Sequence, residues 1–174
     1  MHTSRRKAFT LVELIIVIII LGILATLAVP QFVSSTKDAQ EATLRGNLAV
    51  MRNAISLYYH QHASDYAGAV TEDGTGTATA AGDNPAGFVN QLAQYTDKTG
   101  KTNATLDRTN FPFGPYLMQG IPDNPLAPNG VTANSVSVVT DAGALTADAV
   151  PTAAWKYSKV TGQIIANIVA YQGW

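Results

Sequence analysis

Cysteine is absent from the 174 residues. That excludes a disulfide framework, a thiolate metal site, a cysteine nucleophile and any lipid anchor carried on cysteine. Charge is scarce as well. Asp, Glu, Lys and Arg make up 13% of the chain, about half the share usual in soluble domains. Eleven basic residues face 12 acidic ones for a net charge of −1, so no basic excess exists to neutralise a phosphate backbone and nucleic acid is not an expected partner. Chemistry-bearing patterns are equally thin. His60 and His62 stand about 200° apart on a helix, a poor metal pair. Gly74-Thr75-Gly76 lacks the Lys and helix of a phosphate cradle, and no serine sits in a triad-like pattern. Lys98, Lys101 and Arg108 read as a solvated loop, and Asn103-Ala104-Thr105 as a chance glycosylation triplet. No catalytic constellation is left, and an enzyme is not expected.

Apolar residues are abundant, at 47%, and they are concentrated. Phe9 to Val29 reads FTLVELIIVIIILGILATLAV, which as a helix reaches roughly 32 Å, the thickness of a bilayer core. Arg5-Arg6-Lys7 precede it, and the next positive charge is Lys37. The positive-inside rule then keeps the N-terminus cytoplasmic and sends everything after Pro30 across. Such a block fits a plain signal anchor. It also fits a secretory signal cut after Ala28, since Thr26-Leu27-Ala28 offers small residues there. A buried core helix is the poorest fit to so long a run without polar positions.

Glu13 fits none of these readings well. A carboxylate inside an apolar span costs about 2.5–3.5 kcal/mol at the centre and less near the interface. It calls for a cation at its own depth, which Arg5 to Lys7 cannot supply. The free α-amino group of a neighbouring copy, cut just before Phe9, would serve.

Arg6-Lys7-Ala8 followed by Phe9-Thr10-Leu11-Val12-Glu13-Leu14 resembles the processing site of type IV pilins and of the pseudopilins of type II secretion. The resemblance implies removal of a leader (residues 1–8) by a prepilin peptidase, cleavage between Ala8 and Phe9, and N-methylation of Phe9. It makes Glu13 the residue used in assembly, and it puts helix-bending positions at Gly22 and Pro30. Ala8 departs from the glycine usual before the cut. Loss of the three leader charges would take the net charge from −1 to −4.

Beyond Pro30, Leu44, Leu48, Met51, Ile55, Tyr58 and His62 recur in steps of four and three, one stripe of an amphipathic helix. Glu41 and Arg45 form an i,i+4 pair in the favourable order. One helix is therefore expected from about Phe9 to His62, with a membrane and filament-core half (9–30) and an amphipathic half (31–62). Residues 63–174 form the head. A loop over Ala63–Gly82 is followed by a short helix opening at Pro85, capped by Asn84 or Asp83, with Phe88, Leu92 and Tyr95 on one face. Asp97 to Arg108 reads as exposed and polar. Two prolines and Gly114 keep Phe111–Leu117 out of a helix, and Ile121–Leu126 is a proline-punctuated crossing. Val136 and Val138 mark a strand, and Trp155–Tyr157 with Gln163–Ile168 mark a hairpin. The expected class is α+β, a long helix on a small antiparallel sheet.

Gly114-Pro115-Tyr116-Leu117, the Pro122–Pro125 turn and Trp155 to Asn167 resemble the head of major pseudopilins, although the stretch between Leu126 and Trp155 is longer. That resemblance implies a periplasmic filament for protein secretion. Its partners are other copies of the chain, minor pseudopilins, the prepilin peptidase and an inner-membrane assembly platform. A pilus subunit for adhesion, twitching or DNA uptake, and a membrane-anchored binding module, are the alternatives. No cofactor is required. The same resemblance puts calcium in the loop before the last strands, with Asp123 and Asp141 as candidate ligands, although Asp123-Asn124-Pro125 is equally a plain turn.

Overall fold

The computed structural model describes residues 9–75 and 84–174, and at 28–30 the backbone alone. Two units divide the chain, residues 1–40 and residues 41–174. Helix α1, Leu11–Gln61, belongs to both.

In the first unit the described side chains from Phe9 to Leu27 are all exposed, and α1 is long and apolar enough there to cross a membrane. The helix continues through Pro30, where the missing N–H leaves the Thr26 carbonyl without its usual partner. Hydroxyls fold back on the helix on either side. Thr26 Oγ1 donates to the Ile23 carbonyl at 2.7 Å, Ser35 to Gln31 at 3.0 Å and Thr36 to Phe32 at 2.9 Å. Such bonds carry hydroxyls cheaply through an apolar stretch. Nothing crowds the Gly22 Cα, where an added Cβ would meet open space.

In the second unit α1 lays its stripe on the head. Leu44, Leu48, Met51, Ile55, Tyr58 and His62 are each at most 2% exposed, as the spacing predicts. Helix α2, Pro85–Ala93, starts where Asn84 Oδ1 accepts the Gly87 N–H at 2.7 Å, and it buries Phe88 and Leu92. Tyr95 does not join that face. It opens β1, Tyr95–Thr96, which pairs antiparallel with β2, Thr102–Asn103. The stretch read as a polar loop thus holds a two-residue ladder, too short to leave a periodic trace. The Leu92 carbonyl accepts from both Tyr116 and Leu117 N–H, at 2.9 and 2.8 Å, so the Gly114–Leu117 turn closes the end of α2.

A three-stranded sheet follows, in the order β3 (Val136–Val139), β4 (Trp155–Ser158), β5 (Ile164–Ala166). The expected hairpin is present, with Trp155 opposite Ala166 and Tyr157 opposite Ile164. The expected antiparallel sheet is not. β3 runs parallel to β4, Val136 beside Trp155 and Val138 beside Tyr157. Residues 140–154 make the crossover that a parallel pair requires. The class remains α+β, with a mixed sheet. Trp155, Tyr157, Ile164, Phe88 and Leu92 share one core with the α1 stripe.

Candidate functional site

Two places carry more than packing. The first is the start of α1. Thr10 is the residue before the first helical turn, and its N–H and its hydroxyl both donate to Glu13 Oε2 at 2.8 Å. The Glu13 N–H returns a bond to Thr10 Oγ1 at 3.3 Å. This reciprocal pair is a capping box, which satisfies free donors of the first turn. Thr10-Leu11-Val12-Glu13 is its sequence signature, and the sequence reading passed over it. The carboxylate expected to need a cation is thus held by Thr10 of its own chain, the residue after Phe9, whose side chain is 84% exposed. Ala8 and the leader lie outside the described residues.

The second place is the segment 140–154, which has no regular structure yet is tightly tied. Three of its N–H groups are taken by side-chain amide oxygens from the far end of the chain. Leu145 donates to Gln163 Oε1 at 3.1 Å, Ala147 to Gln172 Oε1 at 2.7 Å and Asp148 to Asn167 Oδ1 at 2.8 Å. Its carbonyls are taken as well. Asp141 accepts from Ser158 Oγ at 2.6 Å, Thr146 from Lys156 Nζ at 3.0 Å and Ala153 from Asn167 Nδ2 at 3.1 Å. Lys156 also pairs with Asp148 Oδ1 at 2.7 Å, while Asn167 Nδ2 donates to Asp148 Oδ2 at 2.9 Å. The lysine bond, first among the causes, holds the Asp148 carboxyl below its ordinary range.

The candidate calcium ligands lie apart from these ties. Asp123 sits on the proline crossing with its carboxylate side chain exposed and its carbonyl bonded to Asn47 Nδ2 at 2.8 Å. Asn124 is buried, its amide on the Ala154 carbonyl at 2.9 Å. The Asp141 side chain is exposed. Among the described residues no three His, Asp or Glu side chains gather where an ion could sit, so Asp123 and Asp141 do not form part of such a set.

The described chain therefore combines a helix apolar all round in its first half and one-sided in its second, with Phe9, Thr10 and Glu13 at its start, and a small α+β head. Residues 3–29 match the family described as the prokaryotic N-terminal methylation motif. Over 53 residues the chain is 47% identical to the type IV narrow pilus major component PilA5 of Thermus thermophilus, covering 30% of this chain and 46% of that protein. Over 58 residues it is 36% identical to the type II secretion system core protein G of Pseudomonas aeruginosa, 33% of this chain and 41% of that one. The type IV major fimbrial protein FimA of Dichelobacter nodosus is 42% identical over 52 residues, 30% and 33% of the two chains. The chain thus spans less than half the length of each of these relatives. No solved structure matches it significantly.

Proposed function

We propose that the chain is a filament subunit stored in the membrane, cut before Phe9 and assembled through its apolar helix, most specifically as the major pseudopilin of a type II secretion system. The observation that carries the reading is Glu13, one carboxylate in a run of exposed apolar helix, in register with Phe9 and Pro30. In the stored subunit Thr10 keeps that carboxylate hydrogen-bonded, which lowers the cost of carrying it at the membrane face. On assembly the methylated amine of Phe9 on a neighbouring copy takes its place as partner and sets the register between subunits. The apolar halves then cover one another in the filament core. A prepilin peptidase, an inner-membrane assembly platform and minor pseudopilins are the expected partners, and the head faces the periplasm. Members of this class are structural subunits rather than enzymes.

A pilus subunit is the second reading, favoured by the 47% identity to a pilus component. The family match covers residues 3–29, and the head features resembling pseudopilins, Gly114–Leu117, Pro122–Pro125 and Trp155–Asn167, lie outside that range. Deletion separates the two, since loss of surface filaments indicates a pilus and exoproteins stranded in the periplasm indicate secretion.

The test of the core reading is the intact mass and N-terminal residue of the membrane-extracted protein, together with Glu13→Ala. The expected start is N-methylated Phe9, and the variant should insert normally yet yield few filaments. A start at Val29, an intact Met1, or wild-type filament yield from the variant would each overturn it.

A further inference from the structure

We propose that the crossover segment 140–154 is held by a cation built into the chain, the Lys156 ammonium, so that the head orders its last loop without calcium. The inference concerns the head alone and stands whichever filament the subunit serves. Calcium needs six to eight oxygens converging at about 2.3–2.6 Å. In this segment the Asp148 carboxylate and three carbonyls already have partners within the chain.

Both oxygens of Asp148 are bonded, one to Lys156 and one to Asn167. The carbonyls of Asp141, Thr146 and Ala153 are bonded to Ser158, Lys156 and Asn167. Lys156 itself lies in the middle of β4, opposite Ile165 of β5 and beside Ser137 of β3, and its side chain is 11% exposed. It therefore reaches the crossover from the most firmly held strand of the sheet. One ammonium collecting a carboxylate and a carbonyl offsets the Asp148 charge and ties the segment down, which is what a bound divalent ion would otherwise do. The candidate ligands Asp123 and Asp141 are exposed and, among the described residues, belong to no group of three His, Asp or Glu side chains.

The experiment measures amide hydrogen exchange at Leu145, Ala147 and Asp148, with thermal unfolding, on the full chain in detergent micelles. Wild-type protein is compared in excess calcium and in chelator. The expected result is the same exchange rates and the same melting temperature in both. Slower exchange or a higher melting temperature in calcium would overturn the proposal. Lys156→Met removes a charge-assisted bond and should speed exchange at these amides by on the order of tenfold, while Lys156→Arg should restore most of the protection. Wild-type exchange in Lys156→Met would refute the role of the ammonium. If that variant does not fold, the calcium comparison on wild-type protein decides alone.

Discussion

His62 closes the buried stripe of α1, and its ring lies flat on Tyr58 with centroids 3.8 Å apart. Nδ1 lies 2.9 Å from the Tyr58 carbonyl and Nε2 3.0 Å from Thr96 Oγ1. Those partners suit a neutral ring that donates through Nδ1 and accepts at Nε2. Burial pulls the pKa below the ordinary 6.5, and the carbonyl bond to Tyr58, the Asp97 backbone and the charges of Asp97 and Asp65 oppose it. Below about 6.5 the unfolded chain binds a proton that the folded head refuses. Stability is therefore fully present above that pH and falls as pH drops toward the folded pKa. Equilibrium unfolding of the wild type should weaken over this window, and His62→Gln should flatten the slope; an unchanged slope would remove His62 as its cause. That His62 is buried was legible from its place on the stripe, but its hydrogen bond to Thr96 was not. Spacing puts His62 on the stripe, whereas Thr96 meets it only through the fold.

At the scale of elements, α1 is the part most open to reading from sequence. Its two halves differ in how many faces are apolar, and that difference survives any detail of packing. Leu48 is 1% exposed within the shared core. Leu48→Ala should cost about 2–5 kcal/mol, measured as a lower denaturation midpoint with the helix content of the native state kept; a loss under a few tenths would mean the stripe does not hold the head. The capping box at Thr10 and Glu13 was equally readable, as a threonine three residues before a glutamate. The small strands were harder. β1 and β2 are two residues each, and they exist because Thr96 also pairs with Phe113, a contact set by the turn that closes α2. The direction of β3 had a clue in the length of 140–154, since a tight turn would have forced an antiparallel neighbour and so long a connection leaves a parallel one open.

For the whole molecule, membrane attachment and head order follow from different sets of residues. The span rests on exposed apolar side chains from Phe9 to Leu27, which no water-soluble state covers in a single chain. Washing membranes with alkaline carbonate should leave the full chain in the pellet and detergent should release it. Recovery in the carbonate supernatant would be incompatible with a span. Glu13 is conspicuous in the sequence as a charge in an apolar run. The ties of the crossover are not, because Gln163, Asn167 and Gln172 look like ordinary surface amides until the strands are in place.

The parallel pairing of β3 with β4 has one more consequence, for the order of events as the head folds. The α1 stripe is made early, yet part of its cover, Trp155, Tyr157 and Ile164, is more than ninety residues further along. Contacts of such separation form late and slowly. Until then the stripe waits half-bare, and the central strand can take its place between both neighbours only once β5 has been made. A chain truncated before β4 would therefore present the same apolar face that the complete head hides.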